Sequence, residues 1–362
     1  MGKLATALTP RWTSICPLLA LVVLAVTVVT GSSGIVSAIA GAALIAAVFA
    51  AVYHAEVIAH RLGEPFGTLV LAVAVTVIEV ALIVSIMVGT GGDKAGLARD
   101  TVFAAVMIAC NGIVGLCLLS GGLRHHEQEF HIQGASAALA VLATLTTLTL
   151  VLPNVTTSVA GPEFSTAQLI FAGVVSLVLY GSFVFIQTVR HRDHFLPIVG
   201  GSEDKPAPLP TNTTVLLSTG LLLAALIAVV GLAKVLTPTL EIGLAWLGAP
   251  KAVVGIAIAT LVLLPEGLTA FKSARANQLQ ASLNLALGSA LACIGLTIPV
   301  VAVISIVLHQ RLELGLGMKE EALLALTLLV SVVTLGIGRT TVLQGIVHLV
   351  IFAAFLFLAV VP

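Results

Sequence analysis

Eleven long apolar runs, separated by short polar segments, occupy most of this 362-residue chain. A helix needs about 20 apolar residues to cross the hydrocarbon core of a bilayer, and each run is close to that length. Only 9% of the residues are charged, whereas soluble domains have about 25%. The runs are 15–31, 35–53, 66–88, 101–120, 135–152, 167–189, 214–236, 252–271, 281–308, 322–338 and 341–361. The sequence therefore predicts an all-α polytopic membrane protein with eleven transmembrane helices.

Two of these runs each enclose one carboxylate, Glu79 in the third run and Glu266 in the eighth. Among the 16 basic and 16 acidic residues, only these two lie well inside an apolar run. An ionised carboxylate is expensive to place in hydrocarbon and is usually retained for ion or proton transport. The alternative is a protonated glutamate that only hydrogen-bonds to a neighbouring helix. Two such residues at matching positions favour one shared cation and proton site.

A polar segment rich in Pro, Gly and charged residues divides the chain into two halves. Five runs follow it and six precede it, and each glutamate lies in the second run of a set of five. Because five is odd, the second set must cross the membrane with opposite polarity, which is the layout of an inverted repeat. The predicted parts are an N-terminal segment with one extra helix (1–34), a first five-helix repeat (35–190), a cytoplasmic linker (191–212) and a second five-helix repeat (213–362).

The residues near the two glutamates can supply further oxygen ligands, and calcium takes roughly six to eight of them. Pro265 has no N–H group, which frees the carbonyl of Leu261 from its helical hydrogen bond and favours a kink. Thr76 precedes Glu79 by one turn and offers a hydroxyl. The helix after each glutamate carries Asn four residues before Gly, and these amides can serve the site or bind a neighbouring helix. The predicted site contains Glu79 and Glu266, supported by Thr76, Asn111, Asn284, Leu261 and Pro265.

Two histidine features lie outside this predicted site. The segment 124–131, RHHEQEFH, could bind zinc or respond to pH, although a solvated loop explains it more simply. His348 lies alone in the last run and is interpreted as a core histidine. The four cysteines lack metal-ligand spacing and are expected to be small core residues. No cofactor is expected.

The segments around the two glutamates resemble the two α-repeats of the cation/calcium exchanger superfamily. They are most similar to bacterial ChaA-type calcium (sodium, potassium)/proton antiporters. The similar stretches are VTVIEVALIVS (75–85), ARDTVFAAVMIACNGIVGLCLLSGG (98–122), RHHEQ (124–128) and LLPEGLTAFKSARANQLQASLNLALGSALACIGLTIP (263–299). The resemblance implies that Glu79 and Glu266 bind cation and proton in turn, with backbone carbonyls completing the site. Many proton-coupled relatives carry a Gly-Asn pair where this chain has Val75-Thr76 and Val262-Leu263.

These observations predict an antiporter that exports calcium in exchange for protons, with sodium and potassium as further candidate substrates. No phosphate-binding G-x-x-x-x-G-K-[ST] motif is present, so the energy is expected to come from an ion gradient. The alternatives are a monovalent cation/proton antiporter with little calcium transport and a gated cation channel. A membrane enzyme is disfavoured because no Ser/His/Asp arrangement or H-E-x-x-H motif occurs.

The basic residues of the loops predict the orientation of the chain in the bacterial inner membrane. If the N-terminus is cytoplasmic, ten Lys and Arg residues lie on the cytoplasmic side and six on the other. Positive residues are enriched in cytoplasmic loops, so we expect a cytoplasmic N-terminus and an external C-terminus. Balanced charge gives no reason to expect a nucleic-acid partner. The expected partners are calcium, protons and the lipid bilayer, and the oligomeric state is left open.

Overall fold

Each of the eleven predicted runs coincides with a helix, which confirms the predicted fold class. The computed structural model describes residues 11–31, 34–63, 66–87, 95–196, 209–246 and 250–361. The helices α1 to α11 are Arg11–Thr30, Gly34–Leu62, Phe66–Met87, Leu97–His125, Ile132–Asn154, Thr166–Arg190, Asn212–Trp246, Lys251–Arg275, Leu279–Leu308, Met318–Leu335 and Val342–Val360. Three of them contain a π-helical segment: Ile108–Ile113 in α4, Thr147–Val151 in α5 and Ile186–Arg190 in α6.

Nine helices in the described part of the chain are long and apolar enough to cross a membrane. The apolar part of α3 is shorter, Val70–Ser85, and α10 carries Lys319, Glu320 and Glu321 in its first turn. Some helices extend beyond their apolar runs, since α2 continues to Leu62. Charged side chains at a helix end can reach the membrane–water interface while the helical backbone continues.

Contacts between helices divide the chain into two compact units. Unit 1 consists of residues 1–92 and 206–248. Within it, α7 packs against α1, α2 and α3. Polar contacts link these helices near both ends of α2, because Ser37 Oγ lies 3.2 Å from Thr239 Oγ1 and Arg61 Nη2 donates to Asn212 Oδ1 at 2.9 Å. The third helix, which carries Glu79, is therefore held by a small helical cluster.

Unit 2 consists of residues 93–205 and 249–362. Within it, α4 packs against α8 and α11, and α9 packs against α5, α6 and α8. The pairs α4–α11 and α9–α6 each join the third helix of one predicted repeat to the fifth helix of the other. This correspondence is the packing expected of two repeats of the same design. The boundaries predicted for the repeats, 35–190 and 213–362, stay a prediction.

The loops of unit 2 meet in two groups, which follow alternate helices. After α4 and α10, strand β1 (Gln128–Glu129) pairs antiparallel with strand β2 (Arg339–Thr340). After α5 and α9, Arg311 forms an ion pair with Glu163. The loops that follow the even-numbered helices α4 and α10 thus meet each other, and so do the loops that follow the odd-numbered helices α5 and α9, as alternating membrane crossings require. Of the predicted linker, residues 191–196 and 209–212 are described, and 197–208 lie outside the described residues.

Candidate functional site

Glu79 belongs to unit 1 and is buried, with 2% of its surface exposed. It belongs to α3, which is α-helical from Phe66 to Met87. Thr76 lies three residues earlier and therefore on the same face of the helix. Thr76 is also buried, and its hydroxyl has no hydrogen-bond partner among the described residues. This part of α3 thus carries a buried carboxylate and a buried hydroxyl on one face of the helix, and their role in cation binding stays a prediction.

Glu266 belongs to unit 2 and is buried on α8, with 7% of its surface exposed. The adjacent Pro265 is buried, and α8 is continuous from Lys251 to Arg275. The predicted kink therefore does not interrupt the helix, although proline still gives the carbonyl of Leu261 no N–H to accept from. The carbonyl of Pro265 itself accepts a hydrogen bond from Thr269 Oγ1 at 3.1 Å. The carbonyl of Leu261 is the backbone oxygen that the proline leaves for another partner.

Gly267 brings α4 close to Glu266. A Cβ atom at Gly267 would lie 3.1 Å from Cδ1 of Ile113, which is tighter than ordinary van der Waals contact. Ile113 is the last residue of the π-helical segment of α4. Such segments are rare and occur often at functional sites. A glycine beside Glu266 is thus explained by the close approach of this segment.

Tyr180 is a residue near Glu266 that the sequence did not single out. It is buried in α6, close enough to Glu266 for the charge of that carboxylate to act on its phenol group. Its position depends on Gly295 of α9, because a Cβ atom there would lie 2.7 Å from Cβ of Tyr180. The sequence does contain a feature that could have identified this residue: Tyr180 is one of only two tyrosines in the chain, and it lies within an apolar run.

Asn111 joins three helices in the core of unit 2. It is fully buried in the π-helical segment. Its Nδ2 donates to Thr327 Oγ1 at 2.9 Å, and its Oδ1 lies 3.0 Å from His348 Nδ1. Because Oδ1 can only accept, His348 must carry its proton on Nδ1. Gly115 makes room for this histidine, since a Cβ atom there would lie 3.1 Å from Cβ of His348. The geometry is that of a contact between helices.

Asn284 has a different environment from Asn111, although both begin an N-x-x-x-G sequence. It is half-buried near the start of α9, and its Nδ2 donates to the carbonyl of Phe195 at 2.6 Å. Gln280 Nε2 donates to Asn284 Oδ1 at 2.8 Å, and Gln280 Oε1 accepts from the backbone N–H of His131 at 2.7 Å. Asn284 therefore fixes the chain that follows α6. A role for either asparagine in cation binding stays a prediction.

The histidine-rich segment 124–131 joins loops at one end of unit 2. Arg339 forms ion pairs with Glu127 at 3.8 Å and with Glu129 at 3.0 Å. Nε2 of His125 lies 3.1 Å from the carbonyl oxygen of Arg275. The described residues hold no group of three or more His, Cys, Asp and Glu side chains placed to bind a metal ion. The segment is a structural connection in this conformation.

Each unit thus holds one of the two predicted glutamates. Thr76 accompanies Glu79 in unit 1, and the other supporting residues belong to unit 2. Within unit 2, Asn111 lies in the π-helical segment whose Ile113 packs against Gly267, next to Glu266, whereas Asn284 lies near the start of α9. The shared site of Glu79 and Glu266 stays a prediction.

The hydrogen bond between Asn111 and His348 should couple α4 to α11 energetically. Replacing either residue with Leu removes this hydrogen bond and leaves a buried polar atom of the other residue without it, which costs about 1–2 kcal/mol. Replacing both removes the polar pair together, so we expect the double variant to lose less stability than the sum of the single losses. Thermal unfolding of the four proteins in detergent measures this coupling. Additive losses would contradict it.

Comparisons with known proteins identify the family of this chain. Residues 32–189 and 217–361 match the family model described as sodium/calcium exchanger protein. "Putative ionic transporter y4hA" of Sinorhizobium fredii (strain NBRC 101917 / NGR234) is 51% identical, over 99% of this chain and 99% of that protein. The sodium-potassium/proton antiporter ChaA of Escherichia coli (strain K12) is 37% identical, over 94% of each chain.

A solved structure shares the fold. The crystal structure of the selenium-substituted Ca²⁺/H⁺ antiporter protein YfkE has a TM-score of 0.73 at 16% identity. The match covers 97% of this chain and 99% of that chain. The two segments of the family match fall on either side of the central linker, one in each half of the chain. The resemblance found in the sequence is confirmed, and the chain belongs to the sodium/calcium exchanger protein family.

Proposed function

We propose that this cation exchanger is a secondary antiporter that exchanges calcium for protons across the bacterial inner membrane, with sodium and potassium as further candidate substrates. The observation that carries the proposal is a buried glutamate inside a membrane helix of each unit, Glu79 at 2% and Glu266 at 7% exposure. Burial in an apolar helix is costly for a carboxylate unless ion or proton binding requires it. Family membership supports a carrier rather than an enzyme.

In the proposed mechanism, the two glutamates bind the cation when ionised and protons when neutral. Calcium needs roughly six to eight oxygen ligands, so the carboxylates are supplemented by other groups. The hydroxyl of Thr76 and the carbonyl of Leu261 are the nearest candidates along α3 and α8. Water can fill the remaining positions. Asn111 supports the site indirectly by holding the segment of α4 that packs beside Glu266.

Alternating access follows from the repeat architecture in this proposal. Movement of one group of helices relative to another would open the site first to one side and then to the other. With the N-terminus cytoplasmic, the loops after α4, α8 and α10 face the cytoplasm. Protons moving inward would then drive cations outward.

A monovalent cation/proton antiporter is the second candidate function. The relative ChaA, 37% identical to this chain, is named a sodium-potassium/proton antiporter. Monovalent ions need fewer charged ligands, and two carboxylates suffice to neutralise them. Proton flux in proteoliposomes that contain the purified protein, with calcium, sodium, potassium and magnesium offered in turn, separates the two candidates. A conducting channel would instead pass cations without any counter-ion.

Removing either carboxylate should stop transport without unfolding the protein. In Glu79→Gln and Glu266→Gln the amide keeps the size of the side chain but cannot release a proton near neutral pH. We expect cation-driven proton flux to fall to the level of empty liposomes in each variant. Glu127→Gln, which changes an exposed glutamate of the loop after α4, is the matched control and should keep wild-type flux. Normal exchange by either buried variant would contradict the proposed site.

Cation affinity should depend on pH if protons and cations compete for the same oxygens. Protonation removes ligand charge, so the apparent affinity weakens as the pH falls, by up to about tenfold per pH unit for each competing proton. Binding of the transported cation to the purified protein, measured across roughly pH 6 to 8.5, checks this. An affinity that is constant over this range would place the transported proton elsewhere.

The backbone at Pro265 should contribute to cation binding. In Pro265→Ala the restored N–H allows the Leu261 carbonyl to form a helical hydrogen bond, which withdraws an oxygen from the proposed site. A hydrogen bond inside a membrane is worth about 1 kcal/mol, so we expect cation affinity to weaken about fivefold. Pro299→Ala is the matched control, because Pro299 is also buried inside a membrane helix. Equal affinities in the two variants would exclude a role for the Leu261 carbonyl.

A further inference from the structure

An open groove runs along the C-terminal halves of α4 and α8. Its wall is apolar, formed by Leu116, Leu119 and Leu123 of α4 and by Phe271 of α8. Arg124 and Arg275 line the same groove at the ends of the two helices. Its volume is about 490 Å³, and it is open along its length rather than enclosed. The groove thus combines a hydrophobic wall with a cationic mouth.

The two arginines lie at the same end of the groove because α4 and α8 end side by side. His125 Nε2, the last side chain of α4, lies 3.1 Å from the carbonyl oxygen of Arg275, the last residue of α8. Leu116 precedes Arg124 by eight residues, so it lies about 12 Å deeper along the helix. Leu116 and Leu123 are 47% and 68% exposed. The apolar wall therefore extends from the charged end toward the depth of the membrane.

The positive charge of this mouth is not neutralised within the described residues. No ion pair involves Arg124 or Arg275 there, and the nearby Glu127 and Glu129 both pair with Arg339. Each helix C-terminus contributes only about half a negative charge, which leaves an excess of positive charge. The guanidinium of Arg275 lies 5.8 Å from the centre of the Phe271 ring. This contact holds the cation above the apolar wall.

We propose that this groove binds an anionic phospholipid, with the phosphate between Arg124 and Arg275 and an acyl chain along the leucine wall. Arginine binds phosphate oxygens through paired hydrogen bonds, and basic pockets between membrane helices bind anionic headgroups. A free phosphate ion would use the arginines but not an apolar wall about 12 Å deep. The wall is therefore the reason to assign a lipid. The site is distinct from the proposed transport site and does not depend on its substrate.

Native mass spectrometry of the detergent-solubilised full-length protein tests this proposal. Phosphatidylglycerol and phosphatidylcholine with the same acyl chains are titrated separately. We expect the wild-type protein to bind phosphatidylglycerol more strongly than phosphatidylcholine. Arg124→Gln and Arg275→Gln should each weaken its binding about fivefold, since one cation near an anionic lipid is worth about 1 kcal/mol. The double variant should bind both lipids equally.

A charge-matched control separates this groove from general attraction to the protein surface. The double variant Arg190→Gln/Arg192→Gln removes two exposed arginines outside the groove and should leave lipid binding unchanged. An equal loss in this control, or equal binding of both lipids to the wild type, would overturn the proposal.

Leu119→Trp fills the groove and should weaken phosphatidylglycerol binding while keeping both arginines. Binding that survives this change and is displaced by millimolar inorganic phosphate would assign a soluble anion instead. Arg124→Lys keeps the charge but not the paired hydrogen bonds, so it should bind phosphatidylglycerol more weakly than the wild type; this variant is a second test if a glutamine variant fails to fold.

Discussion

In a bilayer, polar groups without a partner inside the protein are costly, and this constraint governs which polar residues the helices of this chain can carry. Buried hydroxyls mostly satisfy it locally, as when Thr146, Thr149 and Thr188 donate to the carbonyl four residues earlier. Asn111 satisfies it across helices, through Thr327 and His348. Against this pattern, the buried hydroxyl of Thr76 is unusual, because no partner for it lies among the described residues. Its position one turn from Glu79 is what makes it a candidate ligand rather than a packing residue.

The sequence predicted the helices well, because the length of an apolar run is set by the membrane and not by tertiary contacts. All eleven runs are helical, and the two glutamates identified from their apolar surroundings are both buried. Helix ends were predicted less well. The helix α2 passes through His54 and Glu56 to Leu62, since a polar residue does not by itself end a helix. Composition alone does not reveal where such a helix stops.

Contacts that depend on tertiary packing could not be predicted from the sequence. The two N-x-x-x-G sequences look equivalent, but Asn111 joins helices in a core, whereas Asn284 lies near a helix start and holds the loop after α6. The same motif therefore makes different contacts in the two halves. The π-helical segment of α4 has no local sequence signature, and its neighbours are set by tertiary packing: Ile113 lies against Gly267 of α8, and Gly112 lies against Phe352 of α11. The position of Tyr180 near Glu266 could not be predicted either, because it depends on how closely α6 approaches α9 at Gly295.

The two half-sites differ in a way that bears on how a shared site would work. In the proposed site, the oxygen added beside Glu79 is the hydroxyl of Thr76 on an uninterrupted helix, and it can reorient by rotation about one bond. Beside Glu266 it is a backbone carbonyl exposed by Pro265, and it moves only when α8 itself bends or shifts. Coordination by the second half is therefore tied to helix position, whereas coordination by the first half is not. In the proposed antiporter, a shift of α8 would change cation affinity directly, and the π-helical segment packed against Gly267 is placed to limit that shift. In this proposal, the predicted inverted repeats place the two glutamates at corresponding positions, and Pro265 makes only the site at Glu266 depend on the position of its helix.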